Sequence, residues 1–534
     1  MPFAEGIESP APRFSWSLVP LVSARALSQT AFELNLWLSP EAAAPPFWAS
    51  GRVASVETSL VTLSRMPPLP SSSRLWWRVR SYDADGAASA WSSVASFTTG
   101  IATWSGIDWV CGPGGSRGGE NLFRAPFALP VSIEEIVSAL VHVAGLGVHE
   151  VSFNGAPAGE LGPLRKLDGG WTDYAKRVFY TTHDITSALL PSENVLGVQL
   201  GASWFNDDAW YKRPPYGWPS ATNGGGFSYD APRLLRLQLV IRLVNGSQIS
   251  IATSADGSGG ATFYATQGPI VFDSLYDGET FDGRRAAALC GWNAPGFLPA
   301  PGEWRPVVSA SSNTTINPAL NAVITSQPFE PTMRLTRAFP VNSWEAGPGI
   351  FVFDFGSNGI GTVRWTFRGL PAGTNVTMRY AEVIQHPPYG PTNSSLYFDN
   401  LRNAHATDFY FADGSEDVEV FEPSFSWHGF RYAQVSGLVS PPAMNDVVVV
   451  RQANAVTPGA SAAFPSEILG KIEAMAVNTI WSNLQGGPGS CGQRDERQFF
   501  TGDTQVSALT SMQSSAATYV LVGLERAGRA ECGW

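Results

Sequence analysis

The sequence predicts a mostly β protein: a series of sandwich modules followed by a short helical stretch. Three observations carry this. Glycine and proline supply 54 and 40 of the 534 residues, enough to punctuate many short strands with turns. Apolar residues recur with period two through most of the chain and take up helical spacing only after residue 465. Charged residues are 15% of the chain, against roughly 25% in an average globular protein. Aromatics reach 12%, and this combination excludes a disordered chain. At about 150 residues per domain, the length suggests three or four domains.

In the first unit, residues 1–100, Phe32-Glu33-Leu34-Asn35-Leu36-Trp37-Leu38 alternates apolar with polar positions. So does Leu75-Trp76-Trp77-Arg78-Val79-Arg80-Ser81-Tyr82, which runs into an Asp83-Ala84-Asp85-Gly86 turn. About 100 residues with strands at this spacing predict a fibronectin-like sandwich. The second unit, 101–310, starts with a glycine-rich loop at 112–119 and is expected to be a jelly-roll-like sandwich. Its strands include 139–144, 149–153, 195–200 and 235–243, with a hairpin turn at Asn154-Gly155. A third sandwich, 311–458, contains 351–356, 363–367 and 433–435 as strands. In the last unit, 459–534, Ile468, Leu469, Ile472, Met475, Ala476, Thr479 and Ile480 fall on one helical face, with Ser466 as N-cap. A second helix is expected over 504–524. With no further helices to cover them, Ile472, Met475, Ile480, Val520, Leu521 and Leu524 are expected to face outward.

The net charge of −11, with no Lys/Arg cluster, argues against nucleic acid and anionic membrane as partners. No apolar run reaches the roughly 18 residues that a membrane-crossing helix needs. The first ten residues have neither a basic nor an apolar segment, so no signal peptide is visible, whereas sequons at Asn245, Asn313, Asn375 and Asn393 would suit a secreted glycoprotein. The compartment is therefore left open. Cys111, Cys290, Cys491 and Cys532 are far apart, and neither they nor the six histidines show a zinc-ligand spacing.

One segment concentrates charge: Gly492-Gln493-Arg494-Asp495-Glu496-Arg497, followed by Phe499-Phe500-Thr501-Gly502-Asp503. Cleavage of a glycosidic bond needs such parts: a carboxylic acid for the leaving oxygen, polar groups for hydroxyls and a ring for the apolar sugar face. The same residues would also serve as a solvated cluster before a helix, with Asp503 as its N-cap.

This segment resembles the active-site loop of bacterial-type α-L-rhamnosidases, family 78 of the glycoside hydrolases. The shared positions are Cys491, Gln493, Arg494, Asp495, Glu496, Arg497, Thr501, Gly502 and Asp503. Collinear likeness runs through the chain: Pro12-Arg13-Phe14-Ser15-Trp16, Trp171-Thr172-Asp173-Tyr174, Asp277-Gly278-Glu279, Asp354-Phe355-Gly356 and His428-Gly429-Phe430-Arg431-Tyr432. The resemblance implies hydrolysis of terminal, non-reducing α-L-rhamnosyl groups with inversion. Glu496 would be the general acid, Arg494 and Asp503 would bind rhamnose, and Phe500 would stand where the family has tryptophan. Ser490 replaces a family aspartate and Gly492 a proline, the latter expected to loosen the loop.

The implied catalytic domain is an (α/α) barrel, of which residues 466–534 hold only the first two helices. Twelve helices need about 190 residues at about 11 per helix and about 5 per connection. The sequence is thus expected to be truncated early in the barrel, with the general base outside it. The alternative is a non-catalytic carbohydrate-binding or structural β-sandwich protein derived from such an enzyme. The expected partners are rhamnose-containing glycosides or polysaccharides. No cofactor is required. Calcium is possible in the second module, where Trp204-Phe205-Asn206-Asp207-Asp208 is rich in oxygen donors, although an Asn/Asp turn beside core aromatics explains the same residues. His428 reads as a strand histidine, and Asp354 and Asn358 as strand-end turn residues.

Overall fold

The computed structural model describes residues 4–19, 27–40, 45–63, 65–115, 118–207, 231–310, 318–388, 390–415, 418–456, 464–489, 491–497 and 500–514. The first domain is a sheet of β1 (Ala4–Ile7), β2 (Ala31–Trp37), β3 (Arg74–Tyr82) and β4 (Ala95–Thr99), in the order β1-β4-β3-β2. β1 pairs parallel to β4, and the rest are antiparallel. Its alternating positions bury Phe32, Leu34, Leu36, Leu75 and Val79 with Phe14 and Phe97, as period two requires of a sheet with one face covered.

The second domain is a true sandwich. One sheet carries β5 (Leu122–Ala128), β7 (Val148–Phe153) and β9 (Glu193–Gly201). The other carries β6 (Ile136–Leu146), β8 (Arg177–Asp184) and β10 (Leu234–Leu243). Phe123, Val151, Phe153, Leu196 and Val198 of the first meet Val141, Val143, Leu235, Leu237 and Leu239 of the second in one buried cluster. Asn154 and Gly155 both take positive φ, 50° and 87°, the geometry of the tight hairpin turn expected there.

The next strands do not follow the order of the chain. β11 (Ile270–Ser274) and β12 (Gly278–Asp282) leave the second sandwich and join the sheet of the third domain, where β12 pairs parallel to β16 (Thr407–Phe411). That sheet also holds β13 (Thr332–Ala338), β14 (Ile350–Arg368), β15 (Asn375–Ala381), β17 (His428–Ser436) and β18 (Val447–Asn454). β14 is 19 residues long and irregular between Asp354 and Gly359. Its first half pairs with β17 and its second half with β18, so one strand lines both sides of the core around Phe353, Trp365, Met378, Phe430 and Val449. Buried Lys166 adds a polar seam between the domains, donating to the Pro423 carbonyl at 2.5 Å with Glu422 at 3.7 Å.

Two helices follow among the described residues, α1 (Glu467–Ser482) and α2 (Thr501–Ser514). Ser466 is the N-cap of α1, although its hydroxyl makes no capping bond. The apolar face is present but largely in solvent: Ile468, Ile472 and Met475 are exposed. Ile480 departs from expectation. It is buried with Leu484 against Ala453 and Val456 at the end of β18. α2 begins at Thr501, so Asp503 sits inside its first turn rather than capping it. Val520, Leu521 and Leu524 lie outside the described residues. No helix among the described residues is long and apolar enough to cross a membrane.

Candidate functional site

The charged loop leaves α1 along the end of β18. Gln485 pairs with Gln452, side chain to side chain at 3.0 Å and to its carbonyl at 2.8 Å, and Asn454 takes the Gly486 N–H at 2.8 Å. The loop then lies flat on the third domain. A Cβ on Gly429 would come within 2.6 Å of the Gln493 Cβ, and one on Gly492 within 2.5 Å of the Ile360 Cδ1. Gly492 therefore marks a close approach rather than looseness. Cys491 and Arg497 bound the turn with φ of 52° and 44°, a region that costs a non-glycine residue about 1–3 kcal/mol and persists only where surrounding contacts enforce it.

Those contacts divide the four charges into two pairs. Asp495 and Arg497 point inward. Asp495 accepts from the side chain of Asn403 at 3.0 Å. Arg497 is 2% exposed and donates to the carbonyls of Trp427 (2.7 Å), Arg494 (2.9 Å) and Leu275. Its guanidinium lies 5.5 and 5.7 Å from the ring centres of Tyr276 and Trp427. Burial lowers its pKa to about 10, which leaves it a cation at neutral pH. The Trp204 indole N–H closes the arrangement on the Arg497 carbonyl at 3.2 Å.

Arg494 and Glu496 point outward, with side chains 36% and 27% exposed. Arg402 donates to the Glu496 Oε1 at 2.6 Å, and Arg494 Nη1 stands 3.9 Å from Oε2. Partial burial pushes the Glu496 pKa up, but the Cys491 thiol, the Arg402 hydrogen bond and the two guanidinium charges outweigh it and hold the carboxyl below the usual range. The Cys491 thiol is itself raised to about 11, by burial first and then by Glu496, with a further contribution from Asp503. Cys491, Arg494 and Glu496 thus lie together, and the Asp503 charge is felt at the thiol. Asp503 is exposed and Phe500 half-buried at the start of α2. Ser490 and Phe499 lie outside the described residues. Arg402 and Asn403 went unnoticed in the sequence. They follow a one-turn helix in a polar stretch that carries no spacing signal, and Arg402 takes a φ of 58°.

Other candidates resolve into structural roles. Trp204, Phe205, Asn206 and Asp207 are buried. Asp207 accepts the Ser274 hydroxyl at 3.0 Å and the Leu275 N–H at 2.8 Å, which braces the carbonyl that Arg497 holds. Asp208 lies outside the described residues. His428 is buried, bonded to Asp408 at 3.2 Å and stacked on Tyr380. Asp354 binds Arg431 through two 2.8 Å bonds and the Gly356 N–H at the irregularity of β14. Among the described residues, His149, Asp168 and His183 have the only grouping of metal-ligating atoms. There Arg165 already neutralises Asp168 at 2.8 Å, and the Thr181 hydroxyl engages both imidazoles at 2.8 and 3.1 Å. That donor set is a buried strut, not an open metal cradle.

Comparison with known proteins matches residues 3–103 to a Rha78A-like N-terminal immunoglobulin domain, 134–327 to an α-L-rhamnosidase N-terminal domain, and 345–452 to a bacterial α-L-rhamnosidase concanavalin-like domain. An α-L-rhamnosidase of Streptomyces avermitilis is 32% identical over 419 residues, 76% of this chain and 35% of the relative. One from Alteromonas sp. (strain LOR) is 28% identical over 532 residues, 95% of this chain and 52% of the relative. The solved α-L-rhamnosidase from Dictyoglumus thermophilum superposes with a TM-score of 0.79 at 28% identity, covering 96% of this chain and 54% of that one. For the Aspergillus terreus enzyme the values are 0.81, 26%, 97% and 55%. The chain spans about half the length, or less, of the curated relatives it matches.

Proposed function

Because the chain belongs to the bacterial α-L-rhamnosidases through these three domains, we propose that its charged loop forms the acid side of a site that hydrolyses terminal, non-reducing α-L-rhamnosides with inversion. The observation that carries this reading is the division of the loop: Asp495 and Arg497 fix the backbone, leaving Arg494 and Glu496 held outward. Arg494 and Asp503 bind sugar hydroxyls, and the ring of Phe500 covers an apolar face of the sugar. Glu496 gives its proton to the glycosidic oxygen as the bond to the leaving group breaks. A second carboxylate activates water on the opposite face, about 6.5–9.5 Å away. None of the described loop residues is assigned to that step. Glu496 carries a proton in this scheme only when Arg402 is drawn off its carboxylate, a step that sugar binding has to drive.

One observation favours a second reading, a rhamnoside-binding protein without turnover: the Arg402 contact keeps Glu496 ionised at neutral pH. Hydrolysis of aryl α-L-rhamnosides by wild type and Glu496→Gln, each measured in a protein that supplies the second carboxylate, separates the two. The hydrolase reading expects large losses on poor leaving groups and small ones on activated groups, which need little protonation. Rhamnose binding that is lost in Arg494→Ala, without turnover, supports the second reading. Neither turnover nor binding removes both.

A further inference from the structure

Away from the loop, a cavity of about 450 Å³ opens between the second and third domains. Its walls are the outward faces of two sheets. On the second domain, Glu150 is directly opposite Gln199 across β7 and β9, and Ser152 opposite Gly197. These positions alternate with Val151, Phe153 and Val198, which fill the sandwich core, so their side chains point away from it. Asn293 and Trp292, the latter stacked on Trp304 at 5.8 Å, complete this wall.

The facing wall is cationic. Arg337 and Thr362 share one row across β18 through Val450, and Arg364 follows Thr362 by two residues. Val363 and Trp365 point the other way, into the third core. Arg334 is taken by Glu422 at 3.0 Å. Arg337 and Arg364 are exposed and make no ion pair among the described residues. Glu150 has the opposite deficiency: its Oε1 is buried without a hydrogen-bond partner among the described residues. Burial raises its pKa, against the lowering effect of Lys166 and Arg334.

The cavity volume falls within the range of small-ligand sites. An aromatic ring suits the apolar face of a pyranose. Two carboxamides, a hydroxyl and the unpartnered oxygen of Glu150 suit its hydroxyls. Two uncommitted guanidiniums suit a carboxylate, which each can grip with parallel hydrogen bonds. A simple anion would leave Trp292, Gln199 and Asn293 unused, and a neutral sugar would leave the arginines unused. We propose that this cleft binds uronic-acid residues of an acidic saccharide, with Arg337 and Arg364 on the carboxylate and Trp292 against the ring. The proposal uses no residue of the 486–503 loop, so it stands or falls apart from the hydrolase reading.

The test is calorimetry on the full chain with digalacturonate, glucuronate, neutral galactobiose and sodium acetate. A uronate is expected to bind at least about tenfold more tightly than galactobiose, and acetate not to compete. The Arg337→Ala/Arg364→Ala double variant should lose at least about tenfold in affinity with an unchanged Tm, since both side chains are exposed. Trp292→Ala should weaken uronate several-fold, and Arg494→Ala should leave it unchanged. Raising salt from about 0.05 to 0.5 M should weaken binding, because the mouth of the cleft is open to screening. Absence of heat with both uronates overturns the proposal. So does equal binding of galactobiose, indifference to the double arginine variant, or acetate competing as well as uronate, which would reduce the cleft to a bare anion site.

Discussion

Replacing Arg497 by alanine removes the cation that ties the loop to the Leu275 and Trp427 carbonyls. The guanidinium serves three carbonyls, those of Arg494, Trp427 and Leu275, and each stranded buried acceptor costs about 1–3 kcal/mol. Against this, the fold no longer buries a charge, and the strength of that penalty is visible in the lowering of the Arg497 pKa to about 10 by burial. With three acceptors lost and partial relaxation, the net cost is about 2–4 kcal/mol, or roughly thirtyfold or more in the docking equilibrium of the loop. The cost should appear locally. Hydrogen exchange across 485–497, with α1 and β17 as internal references, should show the loss as earlier opening of the loop, with thermal unfolding of the sandwiches little changed. Arg494→Ala is the control, because its side chain is 36% exposed and does not hold the loop down. Its effect should stay within about 0.5 kcal/mol. Equal costs for the two substitutions, or less than about 0.5 kcal/mol for Arg497→Ala, would refute the division into inward and outward charges.

Three further outcomes are expected. Burial lowers the pKa of His149 to about 4 and of His142 to about 3, below their unfolded value of about 6.5. The unfolded chain therefore binds their protons first, and stability present above pH 6.5 is lost as pH falls toward 4 and then 3. His149 alone accounts for about 3 kcal/mol, and denaturant midpoints for wild type and His149→Gln between pH 7 and 4 should differ in slope. Cys290 is exposed, whereas Cys491 is partly buried with its pKa raised to about 11. At pH 8 iodoacetamide should label Cys290 well before Cys491, and Glu496→Gln should speed Cys491, as peptide mapping would report. Gly429→Ala drives a Cβ to within 2.6 Å of the Gln493 Cβ. It should cost about 1–3 kcal/mol and raise proteolysis at 486–497 while leaving the core of the third domain folded.

The strands were legible in the sequence because burial on one face of a sheet writes a period of two into neighbouring residues. The pattern in 75–82 and 149–153 needs no distant partner to be recognised. The loop was legible for a different reason, since four adjacent charges stand out in a chain that is only 15% charged. The helical face of α1 was legible as a periodicity, and its exposure was as expected except at Ile480. Ile480 is covered because it ends beside β18, while Ile472 and Met475 on the same face are exposed. For Trp204 to Asp207 the sequence allowed either calcium ligands or an Asn/Asp turn beside core aromatics, and the bonds of Asp207 to Ser274 and Leu275 come from residues 67 and 68 positions away.

The sequence by itself determined the strand-rich modules, the helical switch after residue 465, the turn at Asn154-Gly155 and the charged segment, because each depends on residues within a few positions of one another. The tertiary structure alone decided which charges of that segment are struts and which face solvent. Arg497 meets carbonyls 222 and 70 residues away, and Glu496 meets a guanidinium 94 residues away. It also decided that 270–282 pairs with the third domain instead of the second, and that arginines on β13 and β14 face Glu150 and Trp292 across a cleft. Local periodicity tells a side chain which face of its own strand it occupies. What lies opposite that face is fixed by the packing of domains, and with it whether a charge is paired, buried or left open to a ligand.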